Sequence, residues 1–160
     1  MIEKNFIGHI LSAKGERVTR GSNPVTSEVL PGDFINATDE EITDTVSKSA
    51  LAFETYRTKT GREKAKFLRA IAEEIENLGE VLIERCCAES GLPFLRVKGE
   101  CGRTTSQLRM FADLIEEGSW VEAVIENGDS KRSPIPKPDL RRMLVPLGPV
   151  AVFAARNFPL

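Results

Sequence analysis

The sequence contains few of the residues on which common catalytic and targeting devices depend. One histidine, one tryptophan and one tyrosine occur among its 160 residues, so a nucleophile would find only His9 as a histidine base. We expect His9 itself to be a surface residue. No apolar run approaches the roughly 18 residues of a membrane span, and the opening MIEKNFIGHI lacks the apolar region of a signal peptide. Membrane insertion and secretion are therefore not expected.

Charge and cysteine usage exclude further classes. The formal net charge is -2 with no block of like charge, whereas nucleic-acid binding needs a concentrated basic face. The cysteines are Cys86, Cys87 and Cys101, and no CxxC spacing exists. This usage predicts reduced thiols in a cytoplasmic protein, with neither a disulfide framework nor a metal site. We expect each cysteine to be a small buried residue of a helix.

Two capping boxes mark the starts of helices. Thr38 and Glu41 have the spacing at which two residues satisfy each other's backbone N–H groups, and Thr60 and Glu63 repeat it. Apolar residues then recur at helical spacing after each box. The pattern predicts a first helix to about Tyr56 and a longer second helix.

Glycine and proline predict where these helices end. We expect an interruption of the long helix at Gly79, because glycine is about 1 kcal/mol less favourable than alanine in a helix interior. Gly91 suits its C-terminal cap, and Pro93 suits the first turn of a further helix that stops at Gly118.

Strand signals replace the helical pattern after Gly118. Residues 120–125 and 140–145 are predicted strands that flank a proline-rich connector. Residues 149–155 are apolar throughout, which is typical of a strand buried on both faces of a parallel sheet. The predicted fold class is therefore α/β. A parallel strand needs a parallel neighbour, and nothing upstream offers one, so we expect an N-terminal fragment of a larger protein.

Asn157 follows this predicted strand, at the position where ligands bind in open α/β sheets. Phe158 precedes Pro159, which favours an extended backbone over a helical one. Ala154 and Ala155 are small and would let a ligand approach the backbone. Asn157 is either a turn residue that caps a following helix or a donor whose amide points into a cleft, and the spacing leaves both open.

Several stretches carry a resemblance to a known family. PLGPVAVFAARNFPL ends in Asn-Phe-Pro, FIGH and NPVTSE suggest an opening hairpin, and EEITDTVSKSALAF and REKAKFLRAIAEEIENLGEVLIERCCAESGLP suggest early helices. Together they resemble the aldehyde dehydrogenase family over nearly the whole chain. GECGRTTSQLRMFADLIEEGSW and PKPDLRRMLVPLGPVAVF are similar to its branch that oxidises 2,5-dioxopentanoate, also called α-ketoglutaric semialdehyde.

The resemblance implies an aldehyde dehydrogenase-like α/β fold, of which this chain would be the N-terminal part. Residues 1–118 would form the N-terminal hairpin and helices of the cofactor-binding domain. Residues 119–146 would form a β arm of the type that mediates oligomerisation. Residues 147–160 would be the first buried strand and the Asn-Phe-Pro loop. The complete protein would be a homo-oligomer.

The resemblance also implies a two-step oxidation that uses NAD or NADP. A cysteine thiolate attacks the aldehyde, hydride passes to the cofactor, and water activated by a glutamate hydrolyses the thioester. Asn157 would be catalytic, because its amide would donate to the oxyanion, an interaction worth roughly 3–4 kcal/mol. The residues that would line the nicotinamide end of the cofactor are Phe153, Ala154, Ala155 and Arg156.

Two residues would contact the substrate by the same resemblance. Phe158 would lie beside the substrate entrance. Arg103 would lie on the helix that lines the substrate tunnel, where a guanidinium can bind the carboxylate of the aldehyde through two parallel hydrogen bonds. The alternative for Arg103 is an ordinary surface arginine.

The chain departs from the family in three ways. The branch has glycine where Ala154 stands, and the added methyl would crowd the cofactor. It has serine where Arg156 stands, and a long cation there would block the cleft or redirect the substrate. The nucleophilic cysteine, the glutamate and the glycine-rich cofactor loop lie downstream in the family, and none of the three cysteines matches the nucleophile. We therefore expect the chain alone to be inactive. The alternative is a stand-alone remnant that pairs with other subunits through exposed strand edges.

Overall fold

The computed structural model describes residues 4–155 and 157–160, so Arg156 lies outside the described residues. Four helices and three small antiparallel sheets of two strands each make up this part of the chain. The strands are β1 (Asn5–Ile7), β2 (Ile10–Ser12), β3 (Val18–Thr19), β4 (Phe34–Ile35), β5 (Val124–Glu126) and β6 (Leu140–Arg142). The helices are α1 (Asp39–Tyr56), α2 (Gly61–Asn77), α3 (Gly79–Ser90) and α4 (Phe94–Glu117).

The helix starts agree with the predicted capping boxes. The Thr38 hydroxyl accepts from the Glu41 N–H while the Glu41 carboxylate accepts from the Thr38 N–H, and Thr60 and Glu63 repeat both bonds. Each box satisfies two of the N–H groups that a helix start leaves without a partner. The predicted end of α1 at Tyr56 is confirmed.

The predicted interruption at Gly79 and the predicted helix ends at Gly91 and Gly118 are also confirmed. Gly79 has a φ of 58° and separates α2 from α3. Gly91 and Gly118, at 71° and 91°, are the left-handed caps at which α3 and α4 end. Glycine adopts such angles without the steric cost that a side chain adds. Pro93 is the N-terminal cap residue of α4, where its missing N–H costs nothing.

α2 and α4 form the central pair, packing against each other more extensively than any other described elements. Ala65 and Ala72 of α2 and Ala112 of α4 have no exposed surface. Because alanine ends at Cβ, it allows close approach of the two helix axes. Arg109 reinforces the crossing by donating from both terminal nitrogens to the two carboxylate oxygens of Glu76, each at 2.7 Å.

A second apolar cluster joins α3 to the start of α4. It consists of Ile83, Cys86 and Val97, and Leu160 packs against it from the far end of the chain. The cluster therefore fixes where the last described residues lie.

The strands predicted within residues 119–146 agree with the structure in part. β5 and β6 pair antiparallel, with Ile125 opposite Arg141. The strand predicted over 120–125 starts only at Val124, because residues 119–121 form a turn of 3-10 helix and Glu122 has a φ of 46°. A left-handed residue cannot continue a strand.

The prediction of a buried strand over 149–155 is not met by the structure. No strand is present there, and Val152 and Phe153 expose 85% and 93% of their surface. A strand requires hydrogen bonds to a neighbour, and no backbone hydrogen bond joins 149–155 to another described segment. The segment has the composition of a sheet interior without a sheet beside it.

The described residues contain no helix that is both long and apolar enough to cross a membrane. Within the same residues, no group of three or more acidic, cysteine or histidine side chains is arranged to hold a metal ion.

Candidate functional site at the end of the chain

The last four residues lie against the first half of α4. The Arg96 guanidinium donates from Nη2 to the Asn157 carbonyl at 3.1 Å. The Leu160 N–H donates to Glu100 Oε1 at 3.1 Å, and Thr104 Oγ1 donates to the Leu160 carbonyl oxygen at 3.0 Å. We call residues 157–160 the tail. Three side chains of one helix therefore hold both ends of the tail.

Helical geometry explains why these side chains meet the tail together. Arg96, Glu100, Arg103 and Thr104 are spaced by four, seven and eight positions, so they share one face over about two turns.

Two cations of this face approach the ring of Phe158. The guanidinium carbons of Arg103 and Arg96 lie 5.1 Å and 5.5 Å from the ring centroid. Cation–π contacts at this distance contribute about 0.5–1 kcal/mol each when exposed. Phe158 is 47% exposed, so both the ring and the guanidinium groups face solvent where a ligand could enter. The predicted substrate residues Arg103 and Phe158 are thus brought together.

Glu100 is the buried acid of this face. It is only 6% exposed, and its Oε2 is buried with no hydrogen-bond partner in the described residues. Leaving a buried polar atom without a partner costs about 1–3 kcal/mol. Glu100 therefore has capacity for one more donor at the tail.

A cavity of about 720 Å³ opens beside the tail. Its lining includes Arg85, Cys86, Glu89 and Leu160. Burial raises the pKa of the Cys86 thiol, and the neighbouring Cys87 and Glu100 raise it further. A raised pKa keeps the thiol protonated, which is the wrong direction for a nucleophile. Cys86 is buried as predicted, while Cys87 and Cys101 are half-buried.

The predicted cofactor residues lie just before the tail. Phe153, Ala154 and Ala155 are exposed, and Arg156 is outside the described residues. The backbone groups of Phe153, Ala154 and Ala155 make no hydrogen bond to the rest of the described chain.

Sequence reasoning missed Arg96, Glu100 and Thr104. The available signal was their helical spacing relative to Arg103, combined with a glutamate one turn after the buried Val97. A carboxylate that is buried one turn from an apolar core residue indicates a partner that must come from elsewhere in the chain.

The sequence model of the Aldehyde dehydrogenase family matches residues 10–160. The chain belongs to this family. An alpha-ketoglutaric semialdehyde dehydrogenase 2 of Azospirillum brasilense is 50% identical over 109 residues, covering 68% of this chain and 21% of the relative. An alpha-ketoglutaric semialdehyde dehydrogenase of Acinetobacter baylyi is 44% identical over 127 residues, covering 79% and 24%. The chain thus spans less than a quarter of either relative.

Solved structures confirm the predicted fold. A succinate-semialdehyde dehydrogenase of Burkholderia pseudomallei matches with a TM-score of 0.69 at 24% identity, over 78% of this chain and 25% of that one. A betaine aldehyde dehydrogenase of Staphylococcus aureus in complex with NAD+ matches at 0.69 and 20% identity, over 84% and 26%. The aldehyde dehydrogenase α/β fold is therefore shown for this part of the chain.

Proposed function

We propose that this chain is the N-terminal portion of a cytoplasmic, homo-oligomeric NAD(P)-dependent aldehyde dehydrogenase that oxidises 2,5-dioxopentanoate to the carboxylic acid. The main observation behind this proposal is the 50% and 44% sequence identity to two alpha-ketoglutaric semialdehyde dehydrogenases. The arrangement of Asn157, Phe158 and Arg103 at the end of the chain supports it. The division into residues 1–118, 119–146 and 147–160 is part of the same proposal.

Asn157 is proposed to stabilise negative charge on the aldehyde oxygen. When a thiolate adds to the carbonyl carbon, the oxygen gains charge, and a fixed amide donor favours that state over the uncharged aldehyde. The tail contacts to α4 hold the carbonyl of Asn157 and the backbone that follows it. NAD(P)+, when bound, accepts the hydride.

Arg103 is proposed to bind the carboxylate of the substrate. Its guanidinium contacts the Phe158 ring and, in the described residues, no acidic side chain within ion-pair distance. A planar guanidinium that is exposed beside a ring can offer two parallel donors to a carboxylate.

The test joins residues 1–160 to the remaining length of the Azospirillum brasilense relative. We expect this chimera to reduce NAD+ or NADP+ with 2,5-dioxopentanoate, and residues 1–160 alone to be inactive. Asn157→Ala should lower kcat/KM by about 100- to 1,000-fold. Asn127→Ala, in an exposed position of the arm, is the matched control. Full activity of the Asn157→Ala chimera would refute the role of Asn157.

One observation favours the alternative of a stand-alone remnant that pairs with other subunits. Residues 147–153 expose several apolar side chains, including Leu147 at 98%. The DNA after codon 160 distinguishes the two functions. A continuing frame with a glycine-rich turn, a glutamate and a cysteine supports the enzyme, and a stop without continuation supports the remnant.

A further inference from the structure

Arg96 makes two contacts with consecutive residues of the tail. Its Nη2 donates to the Asn157 carbonyl at 3.1 Å, across 61 positions of sequence. Its guanidinium carbon also lies 5.5 Å from the centroid of the Phe158 ring. One planar group therefore holds the carbonyl of the peptide unit that joins Asn157 to Phe158 and also contacts the Phe158 side chain.

The other residues of this face hold different parts of the tail. Glu100 and Thr104 bond the backbone of Leu160. Arg103 contacts the Phe158 ring without a hydrogen bond to the tail backbone. In the described part of the chain, Arg96 is the one residue that hydrogen-bonds Asn157.

The restraint on this peptide unit matters because it affects where the Asn157 side chain lies. The Asn157 Cα lies in the same peptide plane as the Asn157 carbonyl oxygen that Arg96 holds. A held plane therefore fixes the position of the Cα from which the Asn157 side chain extends. A guanidinium is suited to this task because its donors lie in a fixed plane.

We propose that Arg96 is a positioning residue that aims the Asn157 amide at the aldehyde oxygen. This inference rests on the proposed function. Arg96 itself contacts neither reacting atom, and its effect on rate passes through Asn157. The distinguishing consequence is that Arg96 matters only while Asn157 is present.

The test is a double-mutant cycle in the chimera described above. Arg96→Gln should lower kcat by about 10- to 100-fold, the range for a small misplacement of a catalytic group, with KM changed less than about 2-fold. In the Asn157→Ala background, the same substitution should change kcat by less than about 2-fold. The loss should be equal for an acidic and a neutral aldehyde.

Three further variants complete the design. Arg96→Lys keeps a charged donor but loses the planar guanidinium, so it should recover part of kcat, and it carries the same cycle if Arg96→Gln does not fold. Lys98→Gln removes an exposed cation from α4 away from the tail contacts and should leave kcat unchanged. Arg109→Gln breaks an ion pair between α2 and α4 and should lower stability without this kcat pattern.

Each kinetic result distinguishes one role of Arg96 or Asn157 from the others. Equal loss from Arg96→Gln with and without Asn157 overturns the positioning role, since it shows a purely structural effect. A rise in KM confined to the acidic aldehyde also overturns it, since Arg96 would then bind the carboxylate. No loss from Asn157→Ala alone would instead refute the proposed oxyanion role of Asn157.

Discussion

At the residue scale, the two arginines of α4 that contact the Phe158 ring, Arg96 and Arg103, differ in their other contacts. Arg96 adds a backbone hydrogen bond to its ring contact, whereas Arg103 has the ring contact alone. Among the described residues, Arg103 therefore keeps all five guanidinium N–H groups for the proposed substrate carboxylate, whereas one N–H of Arg96 is taken by the Asn157 carbonyl. The two residues should give opposite kinetic patterns when each is changed.

Arg103→Gln in the chimera should raise KM for 2,5-dioxopentanoate by about 10-fold or more, because a charge-assisted pair of hydrogen bonds is lost. KM for a neutral aldehyde of similar size should change little. Steady-state kinetics with both substrates provide the measurement, and Lys98→Gln is the control. Equal effects on both aldehydes would show that Arg103 does not bind the carboxylate.

A second residue-scale prediction concerns acid stability. Hydrogen bonding to Arg109, followed by Thr105, lowers the pKa of Glu76 from 4.5 to about 2. Because the folded-state pKa is the lower one, ionised Glu76 stabilises the fold above pH 4.5, and this contribution is lost as the pH falls towards 2.

The urea midpoint of the 160-residue chain should therefore fall between those pH values, and less steeply in Glu76→Gln than in the unchanged chain. Glu74→Gln, on the same helix without an ion pair in the described residues, should follow the unchanged chain. Identical pH profiles for all three proteins would contradict the prediction.

At the element scale, the two capping boxes differ in their surroundings. Glu41 is 3% exposed, and its Oε1 also accepts from the Ser12 hydroxyl and the Lys14 N–H. Hydrogen bonds from Ser12, then Thr38, lower the pKa of Glu41. Glu63 is exposed and bonds only near its own helix start. The α1 box therefore ties β2 to α1, whereas the α2 box is local.

Thr38→Ala should cost about 1–2 kcal/mol of unfolding free energy, and the matched Thr60→Ala about 0.5–1 kcal/mol. The reason for the difference is that loss of Thr38 also loosens Glu41 and its bonds to the hairpin strand. Urea unfolding of both variants gives the two values. Equal costs would show that the contacts of Glu41 to Ser12 and Lys14 add nothing.

Two glycines with equal space around them should respond oppositely to alanine. A Cβ at Gly79 or at Gly99 meets no atom within 4 Å. Gly79 has a φ of 58°, so Gly79→Ala should lower the unfolding free energy by about 1 kcal/mol. Gly99 lies inside α4, so Gly99→Ala should raise it by about 0.5–1 kcal/mol. A change of the same sign in the unfolding free energies of both variants would contradict this prediction.

These elements also show what sequence patterns can predict. The ends of α1, α3 and α4 were predictable because caps and glycines act within a few residues of their own position. The tail contacts were not, because Arg96 and Glu100 meet partners 61 and 60 positions away. The strand predicted over 149–155 is absent because strand formation depends on a neighbour rather than on composition.

At the scale of the whole molecule, apolar surface is concentrated towards the C-terminus. Leu147, Val150, Val152 and Phe153 are exposed by 98%, 73%, 85% and 93%. An unpaired apolar segment of this kind favours association between chains.

The 160-residue chain should therefore self-associate at about micromolar concentration. Val152→Lys combined with Phe153→Lys should shift it towards the monomer, because two charges oppose burial of the segment. Static light scattering measures the change. Val25→Lys, at a separate site that is 78% exposed, is the control and should leave the mass distribution unchanged.

Because the Leu160 N–H donates to the buried Glu100, exchange of this single amide proton measures how often the tail leaves α4. That proton can exchange with solvent only when the tail leaves α4, since its acceptor is 6% exposed. Its exchange rate in deuterated water thus reports the opening equilibrium of the tail separately from unfolding of the helices. Contacts across some 60 positions also close late, because helices form from local contacts first. Asn157, the proposed oxyanion donor, would accordingly reach its place only after the helical scaffold is complete.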